Sequence, residues 1–220
     1  MNLARGLERR LENLADGASA SVFKGRMHPV LIGNKLLRQL DFLAFETPAG
    51  PQIPNDLIVS LNPADIDAGL DLAQLETELA AVVSESAKEQ GWRMVGSPTI
   101  AVAADPSVPR GILGCAGSST PSPIDPWSQL IADDGSAVLN LSLNRTIIGR
   151  GLECDIRISN EQISRTHALV FRQEGMARIS DLGSSNGTWV NALAVSKPSP
   201  LVPGDHVLLG DLSFTYRMID

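Results

Sequence analysis

Cysteine, histidine, net basic charge and long apolar runs are all scarce in this sequence, and each scarcity removes a class of function. Only two cysteines occur, Cys115 and Cys154. Two are too few for a disulfide framework, they share no CxxC spacing, and no histidine pair stands near them. They read as free thiols in a reducing compartment, and neither a metal site nor a cofactor is expected. The net charge of -7 is spread over both halves of the chain. Neutralising the phosphates of a nucleic acid takes a basic surface, so such a partner is not expected. No apolar run approaches the ~20 residues of a membrane span. The first residues, Met1-Asn2-Leu3-Ala4-Arg5-Gly6, lack the apolar core and small-residue cleavage site of a signal peptide. These absences together describe a cytoplasmic protein without membrane insertion.

What is present suits a folded chain: 43% hydrophobic and 20% charged residues over a length of 220, enough for two ordinary domains. The organisation reads as three stretches, 1–103, 104–126 and 127–220. In the first, Leu3, Leu7, Leu11 and Leu14 recur at helical spacing, with Asn2 as cap and Gly17 as stop. Arg5, Arg9 and Arg10 interleave with Glu8 and Glu12, as on a solvated face. A second helix starts at Pro29, a residue suited to the first helical position, and runs to about Phe42. Leu57, Val59 and Leu61 alternate as in a half-buried strand. A third helix begins after Asp71, with Gln74 in capping-box position and Leu72, Leu75, Leu79, Val82 and Val83 as its apolar stripe. Gly91 sits where a left-handed terminal residue is wanted. Ile100 and Val102 suggest a closing strand. Helices and strands mix here without a βαβ rhythm, which describes a small α+β domain.

No catalytic set emerges from this half. His28 is expected to be structural. Asp65, Asp67 and Asp71 surround a helix start, where carboxylates answer exposed amides. From 104 to 126 prolines, glycines and hydroxyls replace all periodicity, as in a linker. Thr120-Pro121 is a candidate phosphorylation site there, although linker composition alone accounts for it.

The last stretch is a succession of short alternating runs, at 128–131, 138–141, 146–148, 156–158, 168–171, 177–180, 188–190, 207–209 and 213–218. Turn signals such as Asp133-Asp134-Gly135 and Pro203-Gly204-Asp205 separate them. With no convincing helix, this reads as an antiparallel β-sandwich, whose loops cluster at the ends of the sheets. Three of those loops carry hydroxyls, amides and guanidinium groups in place of carboxylates or histidine pairs: Gly149-Arg150-Gly151, Ile163-Ser164-Arg165-Thr166-His167 and Ser184-Ser185-Asn186-Gly187-Thr188. They look built to hold an anion. Ser164 with His167 and Asp181 could suggest a hydrolase triad, but Ser164 and His167 are too close in one loop and no GxSxG elbow is present. Asn191-Ala192 stands where many forkhead-associated domains, whose signature loops these three resemble, have an Asn-Gly turn, and alanine resists the positive φ of a primed turn.

Gly149-Arg150, Ser164-Arg165-Thr166-His167 and Ser184-Ser185-Asn186-Gly187-Thr188 resemble, in order and spacing, the signature loops of forkhead-associated (FHA) domains, over residues 127 to 220. The resemblance implies phosphothreonine recognition. Arg150 would make paired charged hydrogen bonds to the phosphate. Ser164 and Ser185 would donate to its oxygens, Arg165 would lean on peptide backbone or phosphate, and Asn186 would bond the peptide main chain. Gly149, His167, Gly187 and Thr188 would be architectural. Residues around Gln162 and Ile163 would face the peptide beyond the phosphothreonine.

The first half, with Arg9-Arg10-Leu11-Glu12, Pro54-Asn55 and Glu89-Gln90-Gly91-Trp92, resembles the N-terminal domain of actinobacterial FhaA-type proteins. That resemblance implies a non-catalytic cytoplasmic adaptor in serine/threonine kinase signalling, linked to cell-envelope synthesis, with its N-terminal domain a candidate kinase target. Its partners would be a kinase, pseudokinase or kinase substrate, with recruitment to a membrane-bound partner left open. The alternative is that the first half is a nucleic-acid or structural module which the FHA half only recruits.

Overall fold

The computed structural model describes residues 27–219; the expected helix through Leu3, Leu7, Leu11 and Leu14 lies outside them. The chain forms two compact units. Among the described residues, one holds 27–45, Gln52–Ala87 and Met94–Ser122; the other holds Glu46–Pro51, Lys88–Arg93 and 123–219.

In the first unit, helix α1 (Pro29–Leu43) starts on its proline, and the His28 ring caps it by accepting the Val30 amide at 3.3 Å. Ile32, Leu36 and Leu40 recur every fourth residue and are buried. A short hairpin of β1 (Phe45–Thr47) and β2 (Gly50–Gln52) follows. Strand β3 (Asp56–Leu61) then buries Leu57, Val59 and Leu61 on one face. Helix α2 (Leu72–Gln90) opens on Asp71, whose carboxylate accepts the Gln74 amide at 3.1 Å, and buries Leu75, Leu79, Val82 and Val83. Strand β4 (Thr99–Ala104) lies parallel to β3, and β5 (Leu113–Ser118) lies antiparallel on the other side of β3.

Two expectations change here. The run β3–α2–β4 is a crossover joining parallel neighbours, so a βαβ unit is present after all. And the stretch read as a linker contains β5, a full strand of the sheet. Its sequence, Leu-Gly-Cys-Ala-Gly-Ser, hides the strand because small residues are required there. A Cβ at Gly117 would stand 2.7 Å from the Leu57 side chain and 2.8 Å from that of Pro54. Past β5, the buried Asn55 fastens the chain by donating to the Ser97 and Thr120 carbonyls at 3.3 and 3.0 Å and accepting the Thr120 amide at 3.0 Å.

The second unit is a β-sandwich. Its strands are β6 (Ser128–Ala132), β7 (Val138–Leu141), β8 (Arg145–Gly149), β9 (Ile156–Arg157), β10 (Ala168–Gln173), β11 (Met176–Asp181), β12 (Thr188–Val190), β13 (Leu193–Ala194), β14 (Ser199–Leu201), β15 (His206–Leu209) and β16 (Leu212–Met218). One sheet runs β14-β11-β10-β8-β9 and the other β13-β12-β15-β16-β6-β7. Leu130, Ile148, Val170, Ile179, Val207, Phe214 and Tyr216 from both sheets share one core. Two strands, β13 and β14, escaped the sequence pattern because neither alternates: β13 is exposed throughout and β14 buries only Leu201. The β8–β9 pair is parallel where antiparallel pairing was expected.

Strict alternation holds in β6 and β15 but fails in β8 and β10, where Thr146–Ile148 and Ala168–Phe171 are buried on both sides. The outward residues Ile147, Leu169 and Phe171 pack with Ala49, which belongs to this unit. Strands covered on two faces read as continuous apolar runs.

The turn between β12 and β13 corrects another expectation. Asn191 has φ 48° and Ala192 has φ 65°, so this is a two-residue turn with both central residues left-handed despite the alanine. Asn191 supports it by donating to Asp205 at 2.8 Å and accepting the His206 amide at 3.0 Å. The alanine conformation costs about 1 kcal/mol. Ala192→Gly is expected to stabilise the protein by about 0.5–1 kcal/mol, read as a higher denaturant midpoint at unchanged slope.

Candidate functional site

The three loops singled out in the sequence meet at one end of the sandwich. The first leaves β8 at Gly149 and Arg150; the second, residues 158–167, runs from β9 to β10; the third, residues 182–187, joins β11 to β12. Backbone contacts stitch the first two together: the Arg150 amide donates to the Ser164 carbonyl at 2.9 Å and the Gly151 amide to the Arg165 carbonyl at 3.0 Å. Gly149 sits where these segments touch. A Cβ there would run into the Arg165 carbonyl oxygen and stand 2.8 Å from Cys154 Sγ, so glycine is demanded by close approach alone.

His167 joins the second loop to the third. It is fully buried. Its Nδ1 accepts the Ser164 amide at 3.1 Å, and its Nε2 lies 2.9 Å from the Gly187 carbonyl. A backbone amide can only donate and a carbonyl can only accept, so the ring is held as the Nε2–H tautomer. The Gly187 carbonyl also receives the Gly210 amide at 3.0 Å, which ties the loop to the end of β15.

The hydroxyl of Ser164 accepts the Ser185 amide at 2.9 Å, a second stitch between these loops. Asn186 Nδ2 donates to the Gln162 carbonyl at 2.9 Å and to Gln162 Oε1 at 2.7 Å. Both amide hydrogens of Asn186 are therefore engaged, and its Oδ1 remains as an acceptor. The triad suggestion does not assemble. His167 faces the Ser164 amide and not its hydroxyl, and Asp181 bonds Ser184 and Thr188 instead of the ring.

Asp181 is the residue whose part the sequence reading missed. Its carboxylate accepts the Gly183 and Ser184 amides at 2.8 and 2.9 Å, and the Ser184 and Thr188 hydroxyls at 2.6 and 2.7 Å. The signal was available: an aspartate two residues before glycine and three before serine is an Asx-type turn. Thr188, buried at the start of β12, thereby closes the loop on its carboxylate.

Around this frame two arginines stand among hydroxyls and amides, with the exposed carboxylates Glu153 and Glu161 on the same loops. Arg150, Arg165, Ser185 and Asn186 are exposed and Ser164 is half-buried. Among the described residues, neither the Arg150 nor the Arg165 guanidinium has a hydrogen bond or ion pair. Free guanidinium groups are good donors to an anion, and these two are carried by the same loops as the hydroxyls and amides. The nearby thiol is not a reactive one: Cys154 Sγ donates to the Arg165 carbonyl at 3.0 Å, and burial, with Glu153 beside it, pushes its pKa up.

Burial would push the Asp181 carboxyl up, but the hydrogen bonds from Ser184, Thr188 and Gly183 outweigh it and leave its pKa below the usual value. A depressed folded pKa stabilises the fold above the ordinary carboxylate range, and that stability is lost as pH falls through the folded value. Asp181→Asn is expected to cost about 1–2 kcal/mol at neutral pH. Chemical denaturation of both proteins across the acid range should show the gap narrowing below about pH 4.

Two family models match this chain. The family model for the FhaA N-terminal domain matches residues 5–115, and that for the FHA domain matches residues 146–210. Over 88 residues the chain is 39% identical to the FHA domain-containing protein FhaA of Mycobacterium tuberculosis, covering 39% of this chain and 16% of that protein. Over 85 residues it is 38% identical to the proliferation marker protein Ki-67 of Mus musculus, covering 39% of this chain and 3% of that protein. The chain thus spans a small part of either relative. A structure solved for the analysis of phosphothreonine-dependent FHA domain interactions is 34% identical, covers 42% of this chain and 97% of its own, and has a TM-score of 0.39. The matched regions are an α+β first half and an all-β sandwich carrying the three loops. The chain belongs to the FhaA family, with an FhaA N-terminal domain ahead of an FHA domain.

Proposed function

We propose that this protein is a non-catalytic adaptor whose FHA domain docks a phosphothreonine on a partner protein. The observation that carries the reading is the convergence of three loops on two exposed, unpartnered guanidinium groups, Arg150 and Arg165, beside Ser164 and Ser185. In this reading Arg150 grips the phosphate with paired donors and Ser164 and Ser185 complete its ring of hydrogen bonds. Arg165 adds charge or a main-chain contact. Asn186, whose Nδ2 is engaged with Gln162, meets the peptide main chain through Oδ1. Gly149, His167, Gly187 and Thr188 shape the loops without touching the ligand.

FhaA-family membership supports the wider setting. The partner is a serine/threonine kinase, a pseudokinase or a kinase substrate in the cytoplasm, in a pathway serving cell-envelope synthesis. The first half supplies a second, separate interaction. No helix among the described residues is long and apolar enough to cross a membrane.

The reading is tested by fluorescence polarisation with a degenerate peptide pool fixed on a central phosphothreonine, against the same pool with plain threonine. The full chain should bind only the phosphorylated pool. Arg150→Ala should weaken that binding by at least about thirtyfold, the effect of truncating one partner of a charged hydrogen-bonded pair. Equal binding of the two pools, or an Arg150→Ala variant that binds like wild type, would sink it.

A further inference from the structure

The loop that presents Arg150 runs through residues 150–155, and its two ends are held differently. The near end hangs on main-chain bonds, Arg150 to the Ser164 carbonyl at 2.9 Å and Gly151 to the Arg165 carbonyl at 3.0 Å. Between the ends, Leu152 is 83% exposed and Glu153 is exposed, so neither packs the loop down. The one inward contact is Cys154, whose Sγ donates to the Arg165 carbonyl at 3.0 Å and which packs against the Ala49, Ile147, Leu169 and Phe171 cluster. The far end is Asp155, whose Oδ2 accepts the Ile147 amide of β8 at 2.8 Å.

That carboxylate is also gripped by Arg93, a residue of the same compact unit although 62 positions earlier in the chain. Nη1 meets Oδ2 at 2.8 Å and Nη2 meets Oδ1 at 2.6 Å, a parallel two-bond fork. The side chains are only 13% and 17% exposed. Arg93 Nη1 donates in addition to the Arg145 carbonyl at 2.5 Å, at the start of β8. The Arg145 side chain in turn donates to the Ala49 carbonyl and, at 3.2 Å, to the Gly91 carbonyl, and lies over the Phe171 ring at 4.7 Å from its centre. Arg93 therefore sits in a rigid mesh on the outer face of the sheet, and Asp155 is where that mesh reaches the loop.

Exposed single ion pairs contribute little, but forked and sheltered ones are the exception. Taking Arg93 away would leave a sheltered carboxylate without its counter-charge, and Asp155 would turn towards water. The loop would turn with it. The Arg150 guanidinium has no partner that could hold it in place, so its position is set by the backbone beneath it, whose carbonyl accepts Arg157 Nε at 3.2 Å. A loop already ordered before the ligand arrives spares the cost of ordering it on binding.

We propose that Arg93 is a positioning residue of the anion site: through Asp155 it holds the Arg150 loop in its receptive shape. This rests on the phosphothreonine reading above. It also means that residues 127–220 alone do not make up the complete receptor.

The test uses the full chain with the degenerate phosphothreonine pool, and follows amide hydrogen exchange at residues 151–155 in parallel. Arg93→Ala and Asp155→Ala should each weaken binding by roughly tenfold, and the double variant should be little worse than either. Arg93→Lys, which keeps the charge but only one prong of the fork, should recover part of the loss. Exchange at 151–155 should quicken in Arg93→Ala while the loop at 182–187 keeps its protection. Should Arg93→Ala fail to fold, Arg93→Gln carries the same expectation. A folded Arg93→Ala or Arg93→Gln that binds within about twofold of wild type overturns the proposal, as do losses that simply add in the double variant. If the wild-type chain itself ignores the phosphorylated pool, the phosphothreonine reading fails first, and the outcome is distinguishable from a failure of Arg93 alone.

Discussion

The buried imidazole of His167 is the constraint on which the rest of the site depends. It accepts from the Ser164 amide and reaches the Gly187 carbonyl, so one ring sets the spacing of two loops that sheet geometry alone would leave independent. Loops at the end of a sandwich are long levers on short strands, and nothing in a ladder of strand pairs fixes their tips. Here each tip is fixed by a group with no freedom of its own: the ring of His167, the carboxylate of Asp181 and the missing side chain of Gly149. With the frame satisfied internally, the outward groups are left free. Arg150, Arg165 and Asn186 Oδ1 can then address a ligand without first breaking bonds to the protein.

The same logic extends to the sheet below. Strands β8 and β10 are buried on both faces, inward on the sandwich core and outward beneath Ala49. A strand packed on two sides has little room to shift, and both of these end in site loops, β8 at Arg150 and β10 beginning just after His167. Arg145 anchors the outer cover through carbonyls at Ala49 and Gly91 while its guanidinium rests on Phe171. Burial of that guanidinium lowers its pKa, which Glu46 nearby opposes, yet a guanidinium remains charged throughout the physiological range.

Much of this was legible in the sequence, and the parts that were not have physical reasons. Long elements with clear periodicity, such as α1 from Pro29 and α2 after Asp71, were readable because their apolar stripe and caps agree. The all-β character of the second half followed from alternation and turn residues, and the three loops stood out by composition. Strand β5 was invisible because Leu57 and Pro54 press on its glycine, leaving a small-residue run indistinguishable from a linker. The outer cover was missed because alternation was assumed where Ile147-Ile148 and Ala168-Leu169-Val170-Phe171 already broke it. Asp181 was overlooked because its bonding is local, to the Gly183 and Ser184 amides and the Ser184 and Thr188 hydroxyls; it was weighed only within a triad that was set aside, when its geometry is that of a turn anchor. Arg93 could not be found at all, since nothing in a sequence announces a pairing across 62 positions.

A chain with a net charge of -7 gains nothing from its overall field in attracting an anion. The attraction has to come from a short range, where two guanidinium groups act within about a Debye length and the remaining acidic groups are screened by salt. That choice has a consequence for selectivity. A basic surface would collect any polyanion, whereas a few placed donors in a fixed frame discriminate by geometry. The stiffness of the frame and the acidity of the chain therefore serve one end. In the phosphothreonine reading, rigid loops select an anion of one shape, and the lack of a basic surface leaves extended polyanions little to bind.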